Sequence, residues 1–375
     1  MKIVVAPDSF KESLSAVDAG RTIERAINKE LPSAQVDVFP MADGGEGILD
    51  ALVYATKGNV IEMNVTGPLG KKIRSEYGLL GDGKTVVIEI AKMAGLMQVP
   101  LTKRNPMKTT TYGIGEAISD ALESGYHKFI IGLGGSATND GGLGMLQALG
   151  ARFLDENDEQ VPPFGGSLGK IKKVDFHSLD HRLKDCQITV ACDVTNPLCG
   201  KEGATYVFGE QKGVAKEQME DIDSAMSRYA QLIERELDQS YQYRKGAGAA
   251  GGLGFALMLL GAKIQSGAEL VANTIGIRSS LADADLVITG EGKSDEQTLY
   301  GKVPSYISKL AHQHNVKSIL LSGSLGEGYE ALYNEFISCF SIINKPMDLD
   351  EAIANASELL YQQARSIARM LKYFQ

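Results

Sequence analysis

The stretch Met1-Lys2-Ile3-Val4-Val5-Ala6-Pro7-Asp8 decides how the rest of the chain reads. Ile3 to Ala6 is a short, continuously apolar run, the pattern of a strand covered on both faces. It becomes polar at Asp8, too soon for the apolar region of a secretory signal, so a first strand is expected here. Ser15 to Leu31 follows with helical spacing through Val17, Ile23, Ala26 and Ile27. Val36 to Phe39 predicts a second strand, and Gly45 to Thr56 a second helix. This βαβα order predicts a parallel sheet, because parallel neighbours need a crossover, usually a helix.

The same grammar returns near the end of the chain: strand Leu286 to Thr289, helix Val303 to His314, strand Ser318 to Leu321 and strand Ile337 to Ser341. One final amphipathic helix is predicted through Leu349, Ile353, Ala356, Leu360, Ile367 and Leu371, spaced at helical intervals. Between these ends the pattern changes. Ile61 to Val65, Ile73 to Leu80 and Thr85 to Ile90 read as antiparallel strands, and helices then alternate with strands to about residue 282. The chain is therefore expected to be α/β with two domains. A doubly wound parallel-sheet domain comes from residues 1–60 and 283–375, and a second, mixed α/β domain from residues 61–282 is inserted into it. A ligand is expected in the cleft between the two.

At 375 residues the chain is too long for one comfortable core, which agrees with two domains. The net charge of −9 argues against nucleic acid or an anionic membrane as partner. No apolar run approaches the ~20 residues needed to cross a bilayer; Phe255 to Ala262 reads as a buried helix. Cys186, Cys192, Cys199 and Cys339 show no CxxC spacing, as expected of reduced cytoplasmic thiols. His177 and His181 could share a helix face but lack further ligands nearby, so surface histidines are expected.

Glycine is the compositional exception, with 42 residues gathered into clusters between apolar runs. Gly78 to Thr85 fits the P-loop formula GxxxxGK[ST], but Thr85 opens the β run Val86 to Ile90 where a P-loop needs a helix. Gly81-Asp82-Gly83-Lys84 therefore reads as a hairpin turn. Gly246 to Gly251 fits GxGxxG, but no buried strand precedes it, which disfavours a dinucleotide site. Close packing through glycine, or phosphate cradling by Gly248 and Gly251 at a helix beginning near Ala249, remains open. The third cluster has the right context. The apolar strand Phe129 to Ile131 leads into Gly132-Leu-Gly134-Gly135-Ser136-Ala-Thr138-Asn139-Asp140-Gly-Gly142, and a helix is predicted from near Leu143. A strand, a glycine-rich loop and a helix N-terminus offer free N–H groups to an anion, with Ser136, Thr138 and Asn139 adding side-chain donors.

Several carboxylates stand in turns after strands. Asp8 has Ser9 and Lys11 beside it; Asp43 and Glu46 lie in Ala42-Asp-Gly-Gly-Glu-Gly47. Asp193 follows the strand Ile188 to Cys192 and precedes Asn196, and Glu291 and Asp295 lie in Gly290-Glu-Gly-Lys-Ser-Asp295. Singly, each could be a helix cap or an Asx turn. Together, Asp8, Asp43 and Glu291 all follow strands of one predicted parallel sheet, whose carboxyl edge is where such sheets bind ligands. Magnesium needs such carboxylates in phosphoryl transfer.

In combination these segments resemble the first type of bacterial glycerate kinases. The resemblance rests on Ala6 to Leu14, Ala42 to Gly47, Gly132 to Gly142, Cys192 to Leu198, Gln211-Lys212-Gly213, Gly246 to Gly252, and Gly290 to Asp295 with Gln297-Thr298 and Gly301-Lys302. It spans essentially the whole chain. It implies ATP-dependent phosphorylation of D-glycerate, with 2-phosphoglycerate the more usual product, and a discontinuous flavodoxin-like domain. Lys293 stands where the pattern has Arg, a point charge in place of a bidentate fork, and Glu210 where it has Pro.

On that resemblance, Lys11 and Lys212 are expected to neutralise phosphate or the substrate carboxylate, with Lys293 and Lys302 as further cations. The Gly134 to Asp140 loop supplies N–H donors. Glu291 and Asp295 serve magnesium or order the nucleotide. Asp193 orients or deprotonates the glycerate hydroxyl, with Asp43 its rival. A cytoplasmic monomer or homodimer using ATP and Mg2+ is expected. The other readings are a nicotinamide-dependent oxidoreductase, which would use Gly246 to Gly251, and a non-catalytic two-domain binding protein.

Overall fold

The computed structural model describes residues 1–373. The chain divides into two units. One comprises Met1–Asp43, Asp50–Lys57 and everything from Gly267 onward; the other comprises Gly44–Leu49 and Gly58–Ser266.

The first unit is built on a five-stranded, wholly parallel sheet in the spatial order Ser338–Ser341, Lys317–Ser322, Leu286–Gly290, Lys2–Pro7, Gln35–Val38. Counted along the unit this is the order 2-1-3-4-5 of flavodoxin-like folds, with the switch point between Lys2–Pro7 and Leu286–Gly290. Ile3 and Val5 face a core shared with Ile23, Ile27, Leu360 and Ile367 of the helices Ala16–Glu30 and Ala356–Tyr373. Val4 and Val287 are equally buried on the other face, where the helix Val303–Gln313 packs. Covering on both faces is why Ile3 to Ala6 shows no alternation. The helix Ala16–Glu30 starts where Ser15 accepts the Asp18 N–H, and Asp18 and Lys29 sit at the ends that suit their charges.

The second unit carries a six-stranded mixed sheet in the order Lys263–Gln265, Gln187–Ala191, Lys128–Gly132, Thr85–Glu89, Lys72–Leu79, Asn59–Thr66. The first four run parallel and the last two add antiparallel. The α/β class, the discontinuous flavodoxin-like sheet and the inserted mixed α/β unit match the sequence-based expectation.

Three local expectations are corrected. Residues 267–282, assigned to the insertion, form the helices Gly267–Ile275 and Ile277–Leu281 of the parallel-sheet unit. The single terminal helix is two, Leu349–Ala354 and Ala356–Tyr373, divided at Asn355, whose side chain donates to the Glu351 carbonyl. The helix expected from Ala249 begins only at Leu253, because Ala250, Gly251 and Gly252 all adopt left-handed backbone. The P-loop mimic is a hairpin turn: Asp82 accepts from the N–H groups of Lys84 and Thr85 between two antiparallel strands. Among the described residues no helix is long and apolar enough to cross a membrane.

Candidate active site

In the parallel-sheet unit, a pocket of about 430 Å3 opens at the carboxyl edge, over the switch point. Asp8 leaves the end of Lys2–Pro7 and donates its N–H to the Gly290 carbonyl (2.8 Å), while its Oδ1 accepts from the Ser9 N–H (2.7 Å). Glu291 leaves the end of the neighbouring strand. The pocket brings together Asp8, Ser9, Lys11, Asp43, Glu291, Lys293, Asp295 and Lys302, which the sequence scatters over nearly 300 positions. Parallel strands cause this, since all their carboxyl ends lie on one edge.

The electrostatics of the pocket are unusual. Burial raises the Asp8 carboxyl to a pKa of about 8, with Asp43 and Glu291 adding to the rise and the Ser9 N–H and Lys11 opposing it. Glu291 is 8% exposed; its Oε1 accepts from Ser294 Oγ (3.0 Å) and Thr298 Oγ1 (2.7 Å), and its Oε2 lies 3.6 Å from Lys302 Nζ. Asp295 caps the short turn Glu296–Leu299, accepting the Gln297 N–H on Oδ1. Lys11 and Lys293 are exposed.

The mixed-sheet unit holds the remaining predicted residues. The Gly132 to Gly142 loop leaves the strand Lys128–Gly132 and enters the helix Leu143–Ala148. Asp140 is fully buried and accepts from the Thr111 N–H and Oγ1 (2.8 Å each), the Gly142 N–H (3.2 Å) and the Gly144 N–H (3.3 Å). Burial raises its pKa while these donors pull it down. Asp140 is thus the knot that shapes the loop. Lys212, at 3% exposure, donates to Ser136 Oγ (2.9 Å) and the Thr138 carbonyl (2.7 Å); burial lowers its pKa to about 7 against the pull of Asp140.

Within the loop, the Gly134 N–H is spent on Gly44 and the Ala137 N–H on Ala94. The N–H groups of Gly135, Ser136, Thr138, Asn139 and Asp140 have no partner among the described residues. Asn139 donates to Thr205 Oγ1, but its Oδ1 and Thr138 Oγ1 are buried without a partner. The free N–H groups and the Thr138 hydroxyl are donors in reserve, as an anion site needs; the Asn139 Oδ1 is an acceptor and does not serve an anion.

Asp193 is exposed just beyond the strand Gln187–Ala191, which lies parallel to Lys128–Gly132, so it shares the loop's sheet edge. Asn196 is committed locally: its Nδ2 donates to the Glu202 carbonyl, and its own carbonyl accepts from Gly248. Gly251 has φ +69° and sits where a Cβ would come within 2.0 Å of the Thr138 carbonyl. Gly248 likewise abuts Pro197. These two glycines thus let one backbone lie against another.

Sequence reasoning missed Glu89 and Thr111, and gave Ser294 and Thr298 no role although both lie in the segments that carry the resemblance. Glu89 is buried at the end of Thr85–Glu89 and accepts from the N–H groups of Gly47 and Leu49, holding the Gly44 to Leu49 segment. A charge closing an otherwise apolar strand was its only signal. Among the described residues no three His, Cys, Asp or Glu side chains converge tightly enough to hold a metal ion.

Fold and site define the class: an α/β protein of two units, each presenting polar loops at the carboxyl ends of parallel strands. A sequence profile of the glycerate kinase family matches residues 3–372, and the chain belongs to that family. It is 46% identical to the glycerate kinase of Bacillus subtilis (strain 168), covering 99% of this chain and 98% of the relative. It is equally 46% identical to the glycerate 2-kinase of Escherichia coli (strain K12), over 99% and 98%. A crystal structure assigned as glycerate kinase 2 of Salmonella typhimurium LT2 superposes with a TM-score of 0.90 at 47% identity, over 100% of this chain and 99% of that one.

Proposed function

We propose that this protein phosphorylates D-glycerate with ATP and Mg2+, on the 2-hydroxyl, giving 2-phosphoglycerate. Family membership across residues 3–372 carries the reaction, and the relative named glycerate 2-kinase supports the position. The pocket supports the chemistry. Phosphoryl transfer needs cations on the phosphates, carboxylate oxygens for magnesium and a group that orients the hydroxyl.

Lys11, Lys293 and Lys302 are the cations that meet the triphosphate. Magnesium commonly takes one or two carboxylates and completes its shell with phosphate oxygens and water, so no closed protein cage is needed. Burial first, and then the nearby Asp43 and Glu291, raise the Asp8 carboxyl, and a bound cation would offset both. Asp8, Asp43, Glu291 and Asp295 offer hard carboxylate oxygens suited to the ion, which when bound would neutralise charge on the transferring phosphates. The unpartnered N–H groups of Gly135, Ser136, Thr138, Asn139 and Asp140 receive the glycerate carboxylate or a phosphate oxygen, on a loop that Lys212 and Asp140 hold in shape. Asp193 orients the 2-hydroxyl and accepts its proton, with Asp43 the second choice. A cytoplasmic enzyme, monomeric or a homodimer, fits the reduced thiols and acidic charge.

The test is ADP release from ATP, Mg2+ and D-glycerate, with the product offered to enolase without mutase. Direct use by enolase identifies 2-phosphoglycerate; dependence on mutase would move the reaction to the 3-hydroxyl. Asp193→Asn is expected to lower kcat at least roughly tenfold without altering the thermal melt. Unchanged turnover would remove Asp193 from the role.

A further inference from the structure

The pocket of the parallel-sheet unit is chemically divided. One end is polar, with Asp8, Lys11, Lys293 and Lys302. The rest of the lining is apolar: Ile343, which follows the strand Ser338–Ser341 two strands away from Leu286–Gly290, and Leu349 and Ile353 on the helix Leu349–Ala354, with Ile342 buried in the core beneath. Leu349 is 71% exposed although it lies in the lining of this concave surface. An exposed leucine in an apolar wall that continues into a charged one suits a ligand that is itself apolar at one end and charged at the other.

The two reactants differ in this respect. Every carbon of glycerate carries oxygen, so it has no apolar face to offer. It is also far smaller than about 430 Å3, a volume within the ~300–1,000 Å3 of sites for larger ligands. ATP has a flat ring at one end and a chain of negative charge at the other. Resting on the kinase reading above, we propose that Ile343, Leu349 and Ile353 seat the purine ring of the nucleotide. The triphosphate then runs along the same pocket toward Lys11, Lys293 and Lys302. The base and ribose are thus held by the parallel-sheet unit.

The experiment compares the full-length wild type with Leu349→Asn and with Leu349→Asn/Ile353→Asn. Three constants are measured: KM for ATP, KM for D-glycerate, and Ki for inorganic tripolyphosphate, which has the charge of the nucleotide but no ring. The double variant is expected to raise KM for ATP roughly tenfold, and Leu349→Asn alone roughly threefold. KM for glycerate and Ki for tripolyphosphate should each move less than about twofold. Unchanged KM for ATP in both variants overturns the seat. So does a parallel rise in Ki for tripolyphosphate, which would locate the damage at the phosphate end, or a rise confined to glycerate. Leu349→Asn replaces a solvent-facing residue, so it decides the matter if the double variant fails to fold. Equilibrium dialysis with ATP reads the seat independently of the acceptor. A wild type that binds ATP but ignores glycerate would sink the kinase reading and leave the seat standing.

Discussion

Exchanging Asp8 for Asn is expected to give a protein that resists unfolding better at pH 8 to 9 than the wild type and phosphorylates glycerate about 100-fold more slowly or worse. Both effects come from one cause. Burial, with Asp43 and Glu291 close by, raises the Asp8 carboxyl to about 8, against roughly 3.9 in an unfolded chain. The folded state therefore keeps a proton that the unfolded state has already lost. The stability linked to this group is complete below pH ~4, drains as pH rises, and is gone once pH passes about 8. Asn imitates the neutral acid and has nothing to drain. Its advantage should be absent near pH 4 and largest above pH 8, which urea midpoints at pH 4, 6 and 9 would read. A carboxylate kept in such a place at the cost of stability points to work done in its charged form, hence the loss of turnover. An Asn variant less stable than wild type at pH 9, or one with full turnover, would refute the account.

Asp140→Ala should be the most destabilising single change in the mixed-sheet unit, costing about 3–5 kcal/mol and lowering the melting temperature by on the order of 10 °C. The Thr111 N–H and hydroxyl and the N–H groups of Gly142 and Gly144 would lose their acceptor where water does not reach. Lys212 would lose the carboxylate that favours its charged form. Asp140→Asn preserves one acceptor oxygen but turns an amide N–H2 toward these donors, so an intermediate loss is expected. Thermal melts of the two variants beside wild type test the ordering. An Ala variant that melts with wild type would mean the loop holds its shape without the carboxylate.

Much of this was legible because the signals were local. Ile3 to Ala6, Phe129 to Ile131 and Leu286 to Ile288 are buried strands whose patterns need no partner to be recognised. The Asp8, Asp43 and Glu291 convergence followed from one topological inference, that parallel strands share a carboxyl edge. What stayed hidden depends on contacts distant in sequence or on backbone detail. Lys212 reads as an accessible cation until the fold places it beneath Ser136 and Thr138, more than seventy residues earlier. Thr111 carries no mark of its bond to Asp140. Asn355 interrupts an otherwise continuous amphipathic pattern with a side-chain bond to backbone, and Ala250 adopts a left-handed conformation that its residue type disfavours. The pairing of Leu349 and Ile353 with the charged pocket was likewise invisible, since helical periodicity assigned both to a core.

The parallel sheet also dictates an order of events during synthesis. Lys2–Pro7 pairs with Leu286–Gly290, so the first strand made has one of its neighbours only after most of the chain has been translated. At ~5–20 residues per second that is a delay on the order of tens of seconds. The mixed-sheet unit draws its strands from a contiguous stretch, Asn59 to Gln265, and can close while the ribosome is still working. Until Leu286–Gly290 is made, Ile3, Val4 and Val5 have only Gln35–Val38 and the helix Ala16–Glu30 to cover them and keep one open strand edge, the kind of segment that chaperones shield and that pairs wrongly with other nascent chains.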